Sequence, residues 1–125
     1  VEIARELAPA GLEFIGGDFF EDELPEADLY ALGQILHDWA EDKIALLLRR
    51  IQERLPAGGG LLIAERLLTP DGVSAHMQSL NMLVCTEGKE RTGEEYRTLL
   101  EAAGFHDVRW KATGTMRDAV LARKA

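Results

Sequence analysis

The sequence predicts an α/β fold in which buried parallel strands are joined by a crossover helix. Three observations carry that prediction. Short apolar runs, Leu12–Ile15, Leu29–Leu36 and Leu61–Ala64, recur between turn residues, as strands covered on both faces do. Ile44, Leu47, Leu48, Ile51 and Leu55 fall at helical spacing, with Lys43, Arg49, Arg50 and Glu53 on the opposite side, an amphipathic helix. That helix lies between the second and third runs, so the order is strand, then strand–helix–strand, which argues for parallel strands with a crossover.

The elements follow in order. Residues 2–8 read as the end of a short helix, and Leu12–Ile15 as a strand that stops at Gly16-Gly17. Leu24-Pro25-Glu26 is a turn ahead of the second run, which is long enough for a strand and a loop. Asp38 and Asp42 suit the positive end of the amphipathic helix, and Pro56 to Gly60 ends it. Thr69-Pro70-Asp71-Gly72 is a turn, and residues 74–86 suit a helix. Thr92 with Glu95 makes a capping box, and Tyr96, Leu99, Leu100 and Ala103 supply the apolar face behind it. Gly104 suits that helix's end. Val108, Trp110 and Ala112 alternate, the chain turns near Gly114, and Ala119–Leu121 closes an antiparallel hairpin.

With 125 residues the chain suffices for one core. Its net charge of −8 argues against nucleic acid as the main partner, because a phosphate backbone needs a basic face. The basic group Arg49, Arg50 and Arg54 shares its helix with acids and reads as a solvated face. No apolar run approaches the roughly 20 residues of a membrane helix, and Val1–Ala8 mixes charges with apolar residues as a secretory signal does not. A single cysteine, Cys85, builds neither an internal disulfide nor a multi-thiolate metal site, so a reducing, cytoplasmic setting is the simplest reading. Its apolar surroundings make a buried, inert thiol the default. No G-x-G-x-x-G turn is present, and Gly58-Gly59-Gly60 precedes a strand instead of opening a helix.

Three stretches carry chemistry. They are Gly17-Asp18-Phe19-Phe20 after the first run, Leu36-His37-Asp38-Trp39 before the amphipathic helix, and Leu80-Asn81-Met82-Leu83-Val84 followed by Thr86-Glu87-Gly88-Lys89-Glu90-Arg91-Thr92. In order and spacing this set resembles the acetylserotonin O-methyltransferase family, and Asp118 to Ala122 at the close fits it too. The match spans nearly the whole chain and corresponds to the last part of a full-length member. Residues 1–125 are therefore expected to be the carboxy-terminal part of a catalytic domain. The resemblance implies a partial Rossmann-like class I methyltransferase sheet, with mostly parallel strands and a carboxy-terminal antiparallel hairpin.

The resemblance also implies a role for particular residues. His37 looks like the general base that takes the proton from a substrate hydroxyl as its oxygen attacks the methyl of S-adenosylmethionine. Neutral imidazole is available near pH 7, and a phenol of pKa about 10 becomes acidic enough in the transition state to give up its proton. The sulfonium is already a good leaving group, so no metal is implied. Glu65 and Glu90 match the carboxylates that flank the base, and a carboxylate on one imidazole nitrogen fixes the tautomer. Gly17, Asp18 and Phe19 match the segment at the adenine end of the cofactor. Asp38 and Asn81 match substrate-side positions. Two residues depart from the family: Gln34 stands where a basic, cofactor-holding residue is frequent, and Cys85 where the acetylserotonin enzyme has a substrate-side glutamine.

Each residue also has a plainer reading. Glu90 could pair with Lys89 or Arg91 on a surface loop, and Asp18 could cap a turn. Trp39 and Trp110 read as packing residues, Met77 and Met82 as gap-fillers. The expected function is O-methyl transfer to a hydroxyl of a small aromatic-type molecule, by a homodimer in the full-length protein. The alternative is a truncated, inactive module that serves interaction or dimerisation. A sheet lacking its first strands is also expected to leave an exposed edge and apolar surface.

Overall fold

The computed structural model describes residues Val1–Ala125. Four strands form one sheet: β1 (Leu29–Gly33), β2 (Gly60–Glu65), β3 (Phe105–Lys111) and β4 (Asp118–Lys124), in the order β1-β2-β4-β3. The helices are α1 (Glu2–Leu7), α2 (Glu41–Arg54), α3 (Val73–Cys85) and α4 (Gly93–Ala102), with a 3-10 turn at Leu36–Asp38. The α/β class and the closing hairpin stand as expected. β1 and β2 run parallel through the α2 crossover, whereas β2–β4 and β3–β4 are antiparallel. Within this chain the parallel character is thus confined to one pairing. None of its helices is long and apolar enough to cross a membrane.

The core lies on one face of the sheet. Leu61 and Ile63 of β2 and Val120 and Ala122 of β4 are buried there, paired in register as Leu61 with Ala122 and Ile63 with Val120. Alternation along each strand puts these side chains on a common face. α2 covers them with Ile44, Leu47, Leu48 and Ile51, all buried, and Leu55 at its end joins them. α4 adds Tyr96 and Leu100. Its start is the predicted capping box: Thr92 accepts the Glu95 amide at 3.1 Å, and Glu95 accepts the Thr92 amide at 2.8 Å. Gly104 closes it at φ +90°, a left-handed conformation that favours glycine.

Three expectations are corrected. Leu12–Ile15 is not a strand: it has no paired neighbour in the sheet, and Leu12 and Ile15 are exposed. Its backbone is engaged by a side chain instead, with Arg5 donating to the Phe14 carbonyl at 3.0 Å. β1 is not buried on both faces. It is the sheet's edge, bonded to β2 alone, and Leu29 is exposed. Arg49 is exposed as expected, but the other two arginines of α2 are not merely a solvated face: Arg50 donates to the carbonyls of Phe19 and Asp22, and Arg54 pairs with Glu23 at 2.9 Å. They tether the 18–23 loop to the helix. Trp39 packs as expected, its ring edge-on to Phe20 at 5.0 Å.

Candidate active site

The end of β1 delivers His37. Gln34 takes φ +54°, a left-handed conformation costly for a residue with a side chain, and turns the chain out of the strand into the 3-10 turn. Leu36 is wholly buried and anchors the turn in the core, which leaves His37 only 5% exposed beside it. Parallel pairing sets Gly33 against Ala64, so Glu65, the last residue of β2, falls beside this turn. Glu65 Oε1 accepts the amides of Ile35 at 2.9 Å and Leu36 at 3.0 Å. Its other oxygen lies 3.6 Å from His37 Nδ1, beyond hydrogen-bonding distance. Burial pushes the Glu65 carboxyl up, against His37 and the two amides, which pull it down.

Glu65 thus holds the turn that carries His37. Glu65→Ala is expected to destabilise the fold by about 2–4 kcal/mol, because two buried amides lose their acceptor. Glu65→Gln keeps an acceptor oxygen and should retain most of the stability. Denaturant unfolding of the two variants checks this.

The 86–91 segment supplies the second carboxylate. The Glu87 amide donates to the Asp38 carbonyl at 3.2 Å, and the Glu90 amide to Ser79 Oγ of α3 at 3.3 Å. Glu90, 1% exposed, then meets His37 Nδ1 with Oε1 at 2.8 Å. An ionised carboxylate only accepts, so Nδ1 carries the proton in this contact, and in the neutral imidazole Nε2 keeps its lone pair. The bond to Glu90 raises the His37 pKa above its usual 6.5, against the opposing effect of burial; Glu65 and Asp38 add to the rise. The plainer reading of Glu90 as a surface ion pair does not hold. The three side chains also offer donor atoms within 4.8 Å of one another, as a small cation site would. Two ligands of one tetrahedral zinc stand about 3.3 Å apart, so the 2.8 Å contact is a hydrogen bond.

The remaining candidates divide into separate places. Gln34 shares a cleft of about 100 Å³ with His37, Gln78, Arg66 and Arg117, and Arg117 donates to Gln34 Oε1 at 2.5 Å. Asp38 lies next to His37, with Oδ1 3.7 Å from Nε2. Gly17, Asp18 and Phe19 line a different hollow of about 280 Å³ with Ile15, Leu24 and Pro25. Asp18 does cap a turn there, accepting the Phe20 amide at 2.8 Å. Asn81 and Cys85 lie on the exposed side of α3, 3.7 Å apart, without a hydrogen bond to the His37 cluster. Cys85 is exposed rather than buried, because α3 turns that side, with Leu80 and Val84, away from the core.

Sequence reasoning missed Gly88 and Arg91. The space beside Gly88 and the burial of Arg91 depend on segments roughly fifty residues away. The arginine following Glu90 was itself the only sequence signal, and it pointed to a surface pair.

The chain matches the model of the O-methyltransferase domain over residues 1–106. It is 54% identical over 116 residues to acetylserotonin O-methyltransferase of Bos taurus, covering 90% of this chain and 34% of that protein. With the Gallus gallus enzyme of that name it shares 50% over 131 residues, covering 99% and 38%. The crystal structure of human N-acetylserotonin methyltransferase in complex with SAM superposes with a TM-score of 0.87 at 52% identity, over 90% of this chain and 34% of that one. The chain therefore spans about a third of the length of these relatives. The domain match and these identities establish that the chain belongs to the O-methyltransferase domain family.

Proposed function

We propose that this chain forms the distal part of the catalytic domain of an S-adenosylmethionine-dependent O-methyltransferase, with His37 as the base that deprotonates a substrate hydroxyl. One observation carries the reading: the Nδ1–Glu90 hydrogen bond at 2.8 Å, on a histidine that lines a cleft. It holds one tautomer and leaves Nε2 to accept a proton. As the imidazolium forms, the Glu90 carboxylate stabilises it. Glu65 holds the turn, and the scarcely exposed base is shielded from bulk water. A phenolic hydroxyl of a small aromatic molecule suits a base of this strength best.

The residues present fit one end of the cofactor. Asp18 offers a carboxylate beside the apolar ring of Phe19 in the 15–25 hollow, a pairing suited to an exocyclic amine on an aromatic base. Gln34 offers an amide beside His37. S-adenosylmethionine, when bound, supplies the electrophilic methyl. Radiolabelled methyl transfer to a phenolic acceptor by a protein carrying this chain tests the reading, and its absence across a panel of hydroxyl acceptors overturns it. The chain by itself is expected to bind S-adenosylmethionine weakly or not at all, for want of a Gly-rich turn. Low-micromolar affinity by calorimetry on the 125 residues contradicts that.

A further inference from the structure

We propose that Arg91 is a positioning residue whose buried guanidinium ties together the two segments that carry His37 and Glu90. The inference rests on the reading of His37 as a base only for its catalytic consequence. Its structural content stands on the geometry alone.

Arg91 is 1% exposed, a burial that arginine avoids unless its donors are used. Its Nη1 donates to the carbonyl of Leu36 at 3.3 Å and to the carbonyl of Lys89 at 3.0 Å. Leu36 immediately precedes His37, and Lys89 immediately precedes Glu90. One nitrogen thus grips the peptide in front of each member of the hydrogen-bonded pair. Arg91 is itself fixed through its main chain, its carbonyl accepting the Leu68 amide at 2.9 Å, in a bridge beside the end of β2. Nη2 lies 3.9 Å from Glu41 at the start of α2.

Arg91 Nε is buried without a partner, so the side chain's hydrogen bonds are the two made by Nη1. Glu65 and Glu90 are both at least 99% buried, and each keeps one oxygen without a hydrogen-bond partner. Arg91 forms no ion pair with either carboxylate, so it acts on the pair through the two carbonyls it holds. An apolar side chain of similar length would fill the space but leave the Leu36 and Lys89 carbonyls to drift apart. Lysine keeps the charge and loses the planar fork.

The test reads His37 itself, by nuclear magnetic resonance of the chain with labelled histidine and arginine. In the wild type the Nδ1 proton should exchange slowly and the imidazole should titrate above 6.5. In Arg91→Met that proton should exchange roughly tenfold faster, within the range by which residues sharing one hydrogen-bond network couple. The titration midpoint should fall at the same time, and Arg91→Lys should lie between the two. Folded variants with wild-type exchange and titration overturn the proposal. Should neither variant fold, the wild type decides: guanidinium protons of Arg91 in slow exchange and close to Leu36 support it, and a freely rotating guanidinium overturns it. In the active protein, full methyl transfer by His37→Ala would sink the general-base reading while leaving this result intact.

Discussion

Replacing His37 with alanine is expected to lower the rate of methyl transfer by about 10²–10⁴-fold, the usual contribution of a positioned general base. The side chain is scarcely exposed and its surroundings are set by Leu36, Glu65 and Glu90. The variant also leaves the buried Glu90 carboxylate without its partner and should lose stability on that account, whereas in the folded variant the missing group is the one that accepts the proton. The loss should therefore appear in kcat. An unchanged rate removes His37 from the chemistry. The pH profile gives a second measure. Glu90 raises the His37 pKa above 6.5, and only neutral imidazole accepts a proton, so the rate should climb with pH through a midpoint above 6.5. Glu90→Gln takes away the largest cause of the rise and should move that limb to lower pH. The stability effect has the opposite sense. A raised folded pKa means the His37–Glu90 pair contributes fully below the unfolded value of about 6.5, and the contribution fades as pH rises through the folded value. The difference in unfolding free energy between wild type and Glu90→Gln should therefore shrink in alkaline solution.

Much of this arrangement was legible in the sequence wherever the signal was local. The spacing of Ile44, Leu47, Leu48 and Ile51 dictated both α2 and the face it buries. Thr92 and Glu95 marked the start of α4 because a capping box is completed within four residues. His37 and Glu90 were legible only through their motifs, since nothing in composition or periodicity joins residues fifty-three apart. What failed depended on neighbours. Leu12–Ile15 has the composition of a strand, yet a strand exists only where another one pairs with it. Cys85 has apolar neighbours in sequence, but α3 turns them outward. Arg91 and Arg50 looked like solvated charges because the carbonyls they reach, on Leu36 and Phe19, are remote in sequence. Glu65 matched a catalytic position, and the geometry gives it a second duty as acceptor for two amides of the turn.

Gly88→Ala should be the most damaging change outside the titrating groups, although it adds a single methyl. A Cβ built on Gly88 would overlap the His37 carbonyl oxygen and stand 2.7 Å from the His37 carbonyl carbon and 2.8 Å from that of Asp38. All three are backbone atoms, so no rotamer change relieves the overlap. Either the 86–91 segment or the turn at Leu36–Asp38 has to move, by on the order of 1 Å to restore ordinary contact distances. Moving the first draws Glu90 away from Nδ1, and moving the second draws the imidazole away from the cleft. Overpacking of this kind costs about 1–3 kcal/mol in stability. A misplacement of about 1 Å at a reacting group costs on the order of 10²-fold in rate. Gly33→Ala is the matching control. Its added methyl meets nothing nearer than Ala64 at 4.0 Å, so its unfolding midpoint should stay close to wild type. If Gly88→Ala unfolds like wild type and keeps the Nδ1 proton of His37 in slow exchange, then the two segments are not in the tight contact that holds His37 against Glu90.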